Sequence, residues 1–504
     1  MINLNKLLII SSLLAPNSIT IHRSIDELPN INQTPRMITM SIYEDAKTQM
    51  AFNWNTTWET NTTIQLTIND DLNFDNNDIL EFDGTVEKSL VANDGYVHQV
   101  VAKNLKENTK YYSRVGDKES NSWSDIGSFT TANSTNKTKF IHISDPQGYE
   151  EIHYKNYNEL LKVATETVDP DFFCLTGDIV NNSSEDAIPQ LEQWEWALTN
   201  QKEFMQNYPF MTTAGNHEAA SYDYNSRFNH PISSDQNNGS YYSFNYQGSH
   251  FISLNTNDSN STSKNARGLS EDQINWLIND LKEAKGNFII VMMHKGIYDA
   301  GGHCSNQEGA DFDIELIRKQ LSPIFTEYNV DLVLQGHDHL YSRSYPLNGS
   351  IENEELITSV NEDLVKNTVT KNNTNYEIYD NPDGTIYLNS GTASGSKYYS
   401  VIDYKKDKIP LEKTDSPSHR MFTEIIIEDN TLYANVYKLI NGESVLFDTF
   451  GIQKSNTNNH QIAKKRNINI PIIIGVSVGS VLLIGGVIFI ILKKKNGKEE
   501  EVNG

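Results

Sequence analysis

Five short polar blocks, each standing directly behind an apolar run, constrain this chain more than any other feature in it. They are Ser144-Asp145-Pro146-Gln147-Gly148, Gly177-Asp178, Gly215-Asn216-His217-Glu218, Met292-Met293-His294 and Gly336-His337-Asp338-His339. The runs at 139–144, 171–176, 288–293 and 330–334 are short and nearly all apolar, as strands covered on both faces are. In open α/β sheets, ligand-binding groups gather outside the carboxyl ends of the strands. The pattern therefore predicts a layered α/β domain with one centre at one edge. Glycines precede three of the blocks' ligand groups, which suits sharp turns and close backbone approach.

The residue types match that position. Asp145, Asp178, Asn216, His294, His337 and His339 supply mixed oxygen and nitrogen donors, suited to Mn, Fe or Zn rather than Mg or Ca. A shared carboxylate can bridge two such ions, which then clamp the attacking and leaving oxygens of a displacement at phosphorus. A lone Gly-Asp carries nothing; five blocks in order, each ending a predicted strand, carry a metal site. His142 and His250 sit inside strands and read as packing residues.

Around this domain the texture differs. Residues 30–133 alternate β-rich runs with Asn/Asp/Gly turns and predict a small β-sandwich. Ser270-Glu271-Asp272-Gln273 has capping-box form and opens a helix through Trp276, Leu277 and Leu281. Residues 350–385 are polar without strong periodicity and read as an insertion or loop, and 420–453 is β-rich.

Both ends carry membrane signals. Lys6 precedes the apolar run 7–15, the form of a signal peptide, placed at 1–24. Residues 468–492 carry no charge and are long enough to cross a bilayer. A translocated N-terminus makes this a single-pass type I membrane protein: an ectodomain outside the cell or in an endolysosomal lumen, a stalk at 454–467, and a cytosolic tail at 493–504. Asn-x-Ser/Thr sequons, among them Asn55, Asn61, Asn133, Asn238 and Asn348, fit that route. A net charge of −25 argues against a nucleic-acid partner, but not against a small phosphate ester drawn by metal cations. Two cysteines, Cys174 and Cys304, exclude a disulfide scaffold and leave one bridge or two free thiols open.

The blocks resemble those of the calcineurin-like metallophosphoesterases: Asp-x-His, Gly-Asp, Gly-Asn-His-Asp/Glu, a strand-ending His and Gly-His-x-His. More narrowly, 35–54, 98–132 and 336–346 resemble the purple acid phosphatases that carry a fibronectin-III-like N-terminal domain. The resemblance implies that domain at 30–133. After it come an α/β metallophosphoesterase sandwich of two mixed sheets flanked by helices at 138–453 and one C-terminal transmembrane helix. It also implies roles. Asp145 and His339 would bind a first metal, Asp178 would bridge, and Asn216, His294 and His337 would bind a second. His217 would face the substrate and protonate the leaving group, Asp338 would orient a ligand histidine, and His303 would contact substrate.

Two positions depart from the pattern. Asn181 stands where purple acid phosphatases carry the Tyr whose phenolate holds Fe(III). Gln147 stands where the wider superfamily carries His, and its amide would ligate weakly or hold a water. The implied cofactors are two divalent or trivalent ions (Fe, Mn or Zn), with a looser first site.

The expected activity is acid phosphatase-like hydrolysis of phosphate monoesters by a metal-bound hydroxide. A phosphodiesterase or nucleotide-hydrolysing relative is the alternative within the enzymes. A cell-surface binding protein with a degenerate phosphatase domain is the alternative outside them.

Overall fold

The computed structural model describes residues 34–455 except 77, 92, 182–189, 221–223, 237–238, 261, 263–265, 305–310, 361–363 and 404–408. The leader at 1–24, the apolar span at 468–492 and the tail lie outside the described residues, as do Asn238 and nearly all of the stalk. Among the described residues, no helix is long and apolar enough to cross a membrane, and all but Ile351–Ile357 fall in one compact unit.

Residues 34–131 form two antiparallel sheets. One runs in the order Arg36–Ile42, Met50–Thr56, Tyr96–Ala102, Thr85–Lys88, and the other is built on Thr63–Thr67 and Lys110–Asp117. Their inner faces bury Phe52, Trp54, Ile64, Leu66, Tyr111, Val115 and Phe129, one apolar residue in two along each strand.

The second part is an α/β sandwich. Among the described residues it holds two eight-stranded sheets. At one end of the first, Lys137–Ile143, Phe172–Leu175 and Phe210–Thr212 run parallel. At the heart of the other, Ser249–Ser253, Phe288–Lys295, Leu332–Gly336 and Ile386–Ser390 do the same. Phe140, Phe172, Phe251, Met292, Leu334, Leu388 and Ile425 pack between the sheets. The helix Glu151–Val168 covers one outer face through Tyr157, Leu160 and Leu161. The helices Glu271–Glu283 and Phe312–Glu327 cover the other through Leu277, Leu281, Ile317 and Leu321. Strands covered on both sides have no polar face to offer, which is why their sequences are unbroken apolar runs.

Two local readings are revised, and the alternatives left open for the cysteines are decided. The stretch 350–385 is not a loop: Lys366–Lys371 and Thr374–Asp380 form a hairpin that extends the first sheet. Its turn, Asn372-Asn373, has φ of 48° and 64°, the double left-handed conformation that a two-residue hairpin demands and Asn tolerates. The outward faces of these strands are polar, which hid them. At Ser270, the hydroxyl caps the helix by accepting from Gln273 N–H. The Gln273 side chain, however, turns away to pair with the Asn255 backbone. Cys174 and Cys304 are buried free thiols.

The two parts are joined through buried charge. Asp94, on the sandwich, meets Arg227 of the α/β part at 2.9 Å, with both side chains fully buried. Arg36 lies 3.1 Å from the same carboxylate and also pairs with Glu195. Asn53 donates to Ser226 O at 3.0 Å, and Asn229 donates to Val100 O at 3.2 Å. Asn55, one of the sequons, is buried with its Nδ2 on Asp94. Its amide has no room for a glycan in the folded state.

Candidate metal centre

The strand ends deliver their polar blocks through strained turns. Asp145, Asp178 and His337 have φ of 52°, 51° and 75°, a left-handed conformation that costs residues with a Cβ about a kcal/mol or more each. The surroundings hold them there. The buried Glu218 carboxylate accepts from the backbone N–H of Asp178 (2.9 Å), Ile179 (2.7 Å), Val180 (3.0 Å) and Gly215 (2.7 Å). His337 N–H donates to Asp145 Oδ2 at 3.1 Å, and Thr392 Oγ1 donates to Asp145 O at 2.9 Å. Close approach also fixes two glycines. A Cβ on Gly215 would lie 2.1 Å from Asp178 Oδ1, and one on Gly336 would lie 2.1 Å from Ser144 Oγ.

The turns gather donors into two clusters that share one carboxylate: Asp178, His294 and His337, and Asp145, Asp178 and His339. In each, the donor atoms lie within 4.8 Å of one another. His294 Nε2 stands 3.3 Å from Asp178 Oδ1 and 3.0 Å from Asn216 Oδ1. His339 Nε2 stands 3.3 Å from Asp145 Oδ1. The far nitrogen of each imidazole is taken up. His294 Nδ1 lies 2.8 Å from Thr176 O, His339 Nδ1 lies 3.3 Å from Lys397 O, and His337 Nε2 lies 3.1 Å from Asp311 Oδ2. Such partners fix the ring orientation and leave the other nitrogen for an ion. Buried carboxylates and imidazoles converging in this way fit a pair of transition-metal ions, with Asp178 between them.

Charge in the cluster is tightly coupled. Burial pushes Asp178 up, but His294, His217 and His337 outweigh it and hold the carboxyl well below the ordinary range. Burial pushes His294 down, but Asp178 and Asp145 outweigh it and raise the imidazole to about 9. Burial and the charge of Asp178 push Glu218 up, while the N–H groups of Val180 and Gly215 pull it back down.

The remaining sequence-derived positions fall as follows. Gln147 is buried beside the Asp145, Asp178 and His339 cluster, with Nε2 2.9 Å from Asp178 Oδ2 and 3.2 Å from His339 Nε2. His217 lines the rim, its side chain 22% exposed and its Nε2 3.8 Å from Asp178 Oδ2. His303 packs beside His337, with ring centroids 4.3 Å apart and the rings tilted by 46°. Its Nδ1 lies 3.7 Å from Asp311. Asp338 does not orient a ligand histidine. With His337 and His339 both turned inward, its carboxylate faces the 301–304 loop and accepts from His303 N–H at 3.5 Å. His142 and His250 are buried strand residues bonded to Ser390 and Thr176, and to Asn245 and Asp280.

Sequence reasoning assigned no role to three further residues. Glu218 was visible in its block but has no metal-facing chemistry to betray it. Asp311 has no local signal. Lys397 follows the strand Ile386–Ser390, so the strand-end rule that singled out the other blocks reaches it too.

Residues 138–341 match the family model of the calcineurin-like phosphoesterases, and residues 35–131 match that of the purple acid phosphatase N-terminal domain. Acid phosphatase type 7 of Mus musculus is 27% identical over 290 residues, covering 51% of this chain and 60% of that protein. Purple acid phosphatase 21 of Arabidopsis thaliana is 23% identical over 381 residues, covering 73% of this chain and 74% of that protein. Two mycobacterial proteins of uncharacterised function are each 30% identical, with 44% of their length covered. The chain thus spans about half the length of the first curated relatives it matches. Among solved structures, yellow lupin purple acid phosphatase PPD1 superposes with a TM-score of 0.62 at 16% identity, covering 84% of this chain and 76% of that one. PhoD superposes with a TM-score of 0.58 at 14% identity, covering 85% and 92%. Both are likenesses of fold.

Proposed function

Because this chain pairs a calcineurin-like phosphoesterase domain with a purple acid phosphatase N-terminal domain, we propose that it hydrolyses phosphate monoesters with two metal ions. The observation that carries this is the place of Asp178 in both donor clusters. Asp145, Asp178 and His339 would hold one ion, with the Gln147 Nε2 beside it, and Asp178, Asn216, His294 and His337 the other. Bound there, the ions would activate a water and neutralise charge on the phosphoryl group.

The chain's own residues do the rest. His217 Nδ1 lies 3.2 Å from Asn181 O; an N–H there donates to the carbonyl and turns Nε2 toward the rim. From there it can hydrogen-bond a phosphoryl oxygen and deliver a proton to the leaving alkoxide. Asn181 is a neutral amide, so the first site lacks the phenolate that would favour Fe(III), and Mn, Zn or Fe(II) suits it better. The apolar stretch 468–492 and the leader support an ectodomain outside the cytosol.

The test is turnover of p-nitrophenyl phosphate from pH 4.5 to 8 by the full chain in detergent. It is stripped with EDTA, reloaded with Mn, Fe or Zn, and compared with Asp178→Asn. Activity that returns with metal and is lost in the variant supports the reading. A folded, metal-loaded protein that turns over no monoester overturns it.

A further inference from the structure

Among the described residues, the rim of the metal centre holds a cation that no ligand role explains, Lys397. Lys397 lies seven residues past the strand Ile386–Ser390, at the sheet end where the metal-binding residues gather. Its backbone is pinned to the centre. Ser394 Oγ and Ser396 Oγ both donate to Gln147 O, at 2.7 and 2.6 Å. The Lys397 carbonyl lies 3.3 Å from His339 Nδ1, and Tyr399 N–H donates to His339 O at 3.1 Å.

The ammonium group is placed just as closely. Nζ lies 3.1 Å from Asn181 Oδ1 and 3.4 Å from Gln147 Oε1, and 5.1 Å over the Tyr149 ring. Both polar neighbours are neutral amides, and the ion pairs among the described residues do not include Lys397. A half-buried ammonium held by amide oxygens, with no carboxylate paired to it among the described residues, is placed to meet an incoming anion. Asn181 also links it to His217, since the Asn181 side chain meets Lys397 and its carbonyl meets His217. Gln147, whose Nε2 lies 2.9 Å from Asp178 Oδ2, links the lysine to the shared carboxylate. The residues that depart from the family pattern, Gln147 and Asn181, are the two that hold the lysine.

We propose that Lys397 is a substrate-binding residue that contacts a terminal phosphoryl oxygen and selects dianionic phosphate monoesters over monoanionic diesters. This rests on the hydrolase reading above. A monoester offers two negative charges on its terminal oxygens and a diester offers one. A fixed cation beside the two metal ions favours the former, and a charge-assisted hydrogen bond gives the contact direction as well as strength.

The test compares the wild-type full chain, loaded with Mn, with Lys397→Met and Lys397→Arg. The readouts are kcat and KM for p-nitrophenyl phosphate and its bis-ester, binding of inorganic phosphate by calorimetry, and bound metal per chain. In Lys397→Met, KM for the monoester and the phosphate dissociation constant should each rise by about ten- to a hundredfold. The bis-ester should change far less, metal content should be unchanged, and Lys397→Arg should recover most of the loss. Unaltered phosphate affinity and ester preference in Lys397→Met would overturn the assignment, as would a matching loss of metal. If the wild-type protein turns over neither ester, the hydrolase reading falls, and the phosphate titration still decides for or against Lys397.

Discussion

The Glu218 carboxylate accepts the backbone N–H of Asp178 at 2.9 Å, so the residue that ends one block holds the turn of another. Three more backbone N–H groups point at the same two oxygens. Glu218→Gln leaves one acceptor oxygen and sets an NH2 against the other donors, at a cost of about 1–3 kcal/mol per orphaned donor. The expected outcome is a lower guanidinium midpoint together with reduced bound metal. Wild-type values for both would refute this account of the turn.

Asp311 joins two histidines, lying 3.1 Å from His337 Nε2 and 3.7 Å from His303 Nδ1. It touches the centre only through them. By fixing His337 it should strengthen the second metal site, and such supporting carboxylates are worth about ten- to a hundredfold in affinity. Asp311→Asn should therefore lose metal in competition with a chelator by about that factor. The ion bound with Asp145 and His339 should be held as before.

Metal uptake should release protons. With its imidazole raised to about 9, His294 is protonated at neutral pH in the metal-free protein and must lose that proton to ligate. Apparent affinity should climb about tenfold per pH unit between pH 6 and 8 for each proton displaced. Calorimetry in buffers of different ionisation enthalpy counts those protons, and a count near zero would contradict the assignment of His294 as a ligand.

Acid should loosen the fold even without metal. Burial lowers His98 to about 4 and His230 to about 3. Both rings are thus neutral in the folded state, while the unfolded chain takes up protons below about 6.5. The unfolded state then binds more protons, so stability is lost as pH falls from about 6.5 toward 4, by about 1.4 kcal/mol per unit for each histidine. His98 sits between the hydroxyls of Thr56 and Thr62. His98→Gln should lower stability overall but flatten its decline with acid by about one proton's worth. Urea unfolding at pH 7, 6 and 5 measures the slope, and an unchanged slope would remove His98 from the account.

Much of this centre was legible in the sequence because its logic is positional. Apolar strands end, and what stands at their ends is chemistry. That rule located Asp145, Asp178, Asn216, His294, His337 and His339. What it missed is instructive. Glu218 and Asp311 act on backbone amides and ring nitrogens, and a carboxylate that serves another residue leaves no periodic trace. Asp338 was misread because a carboxylate between two ligand histidines looks like their partner, yet alternate residues of a turn face opposite ways. The hairpin at 366–380 was missed because strands with a polar outer face at a sheet's end lack the apolar signal of the central ones. Its Asn372-Asn373 turn was the signal available.

The buried pair of Asp94 and Arg227 has a practical meaning for anyone who would treat the N-terminal part as a detachable module. Arg227 follows His217 by ten residues, in the segment that leads away from the metal centre. Cutting the chain near residue 133 would take Asp94 away from Arg227 and uncover the face that now buries both. The β-sandwich is thus less an accessory than a foundation stone, and grafting this catalytic half onto another scaffold would require redesigning Arg227 first.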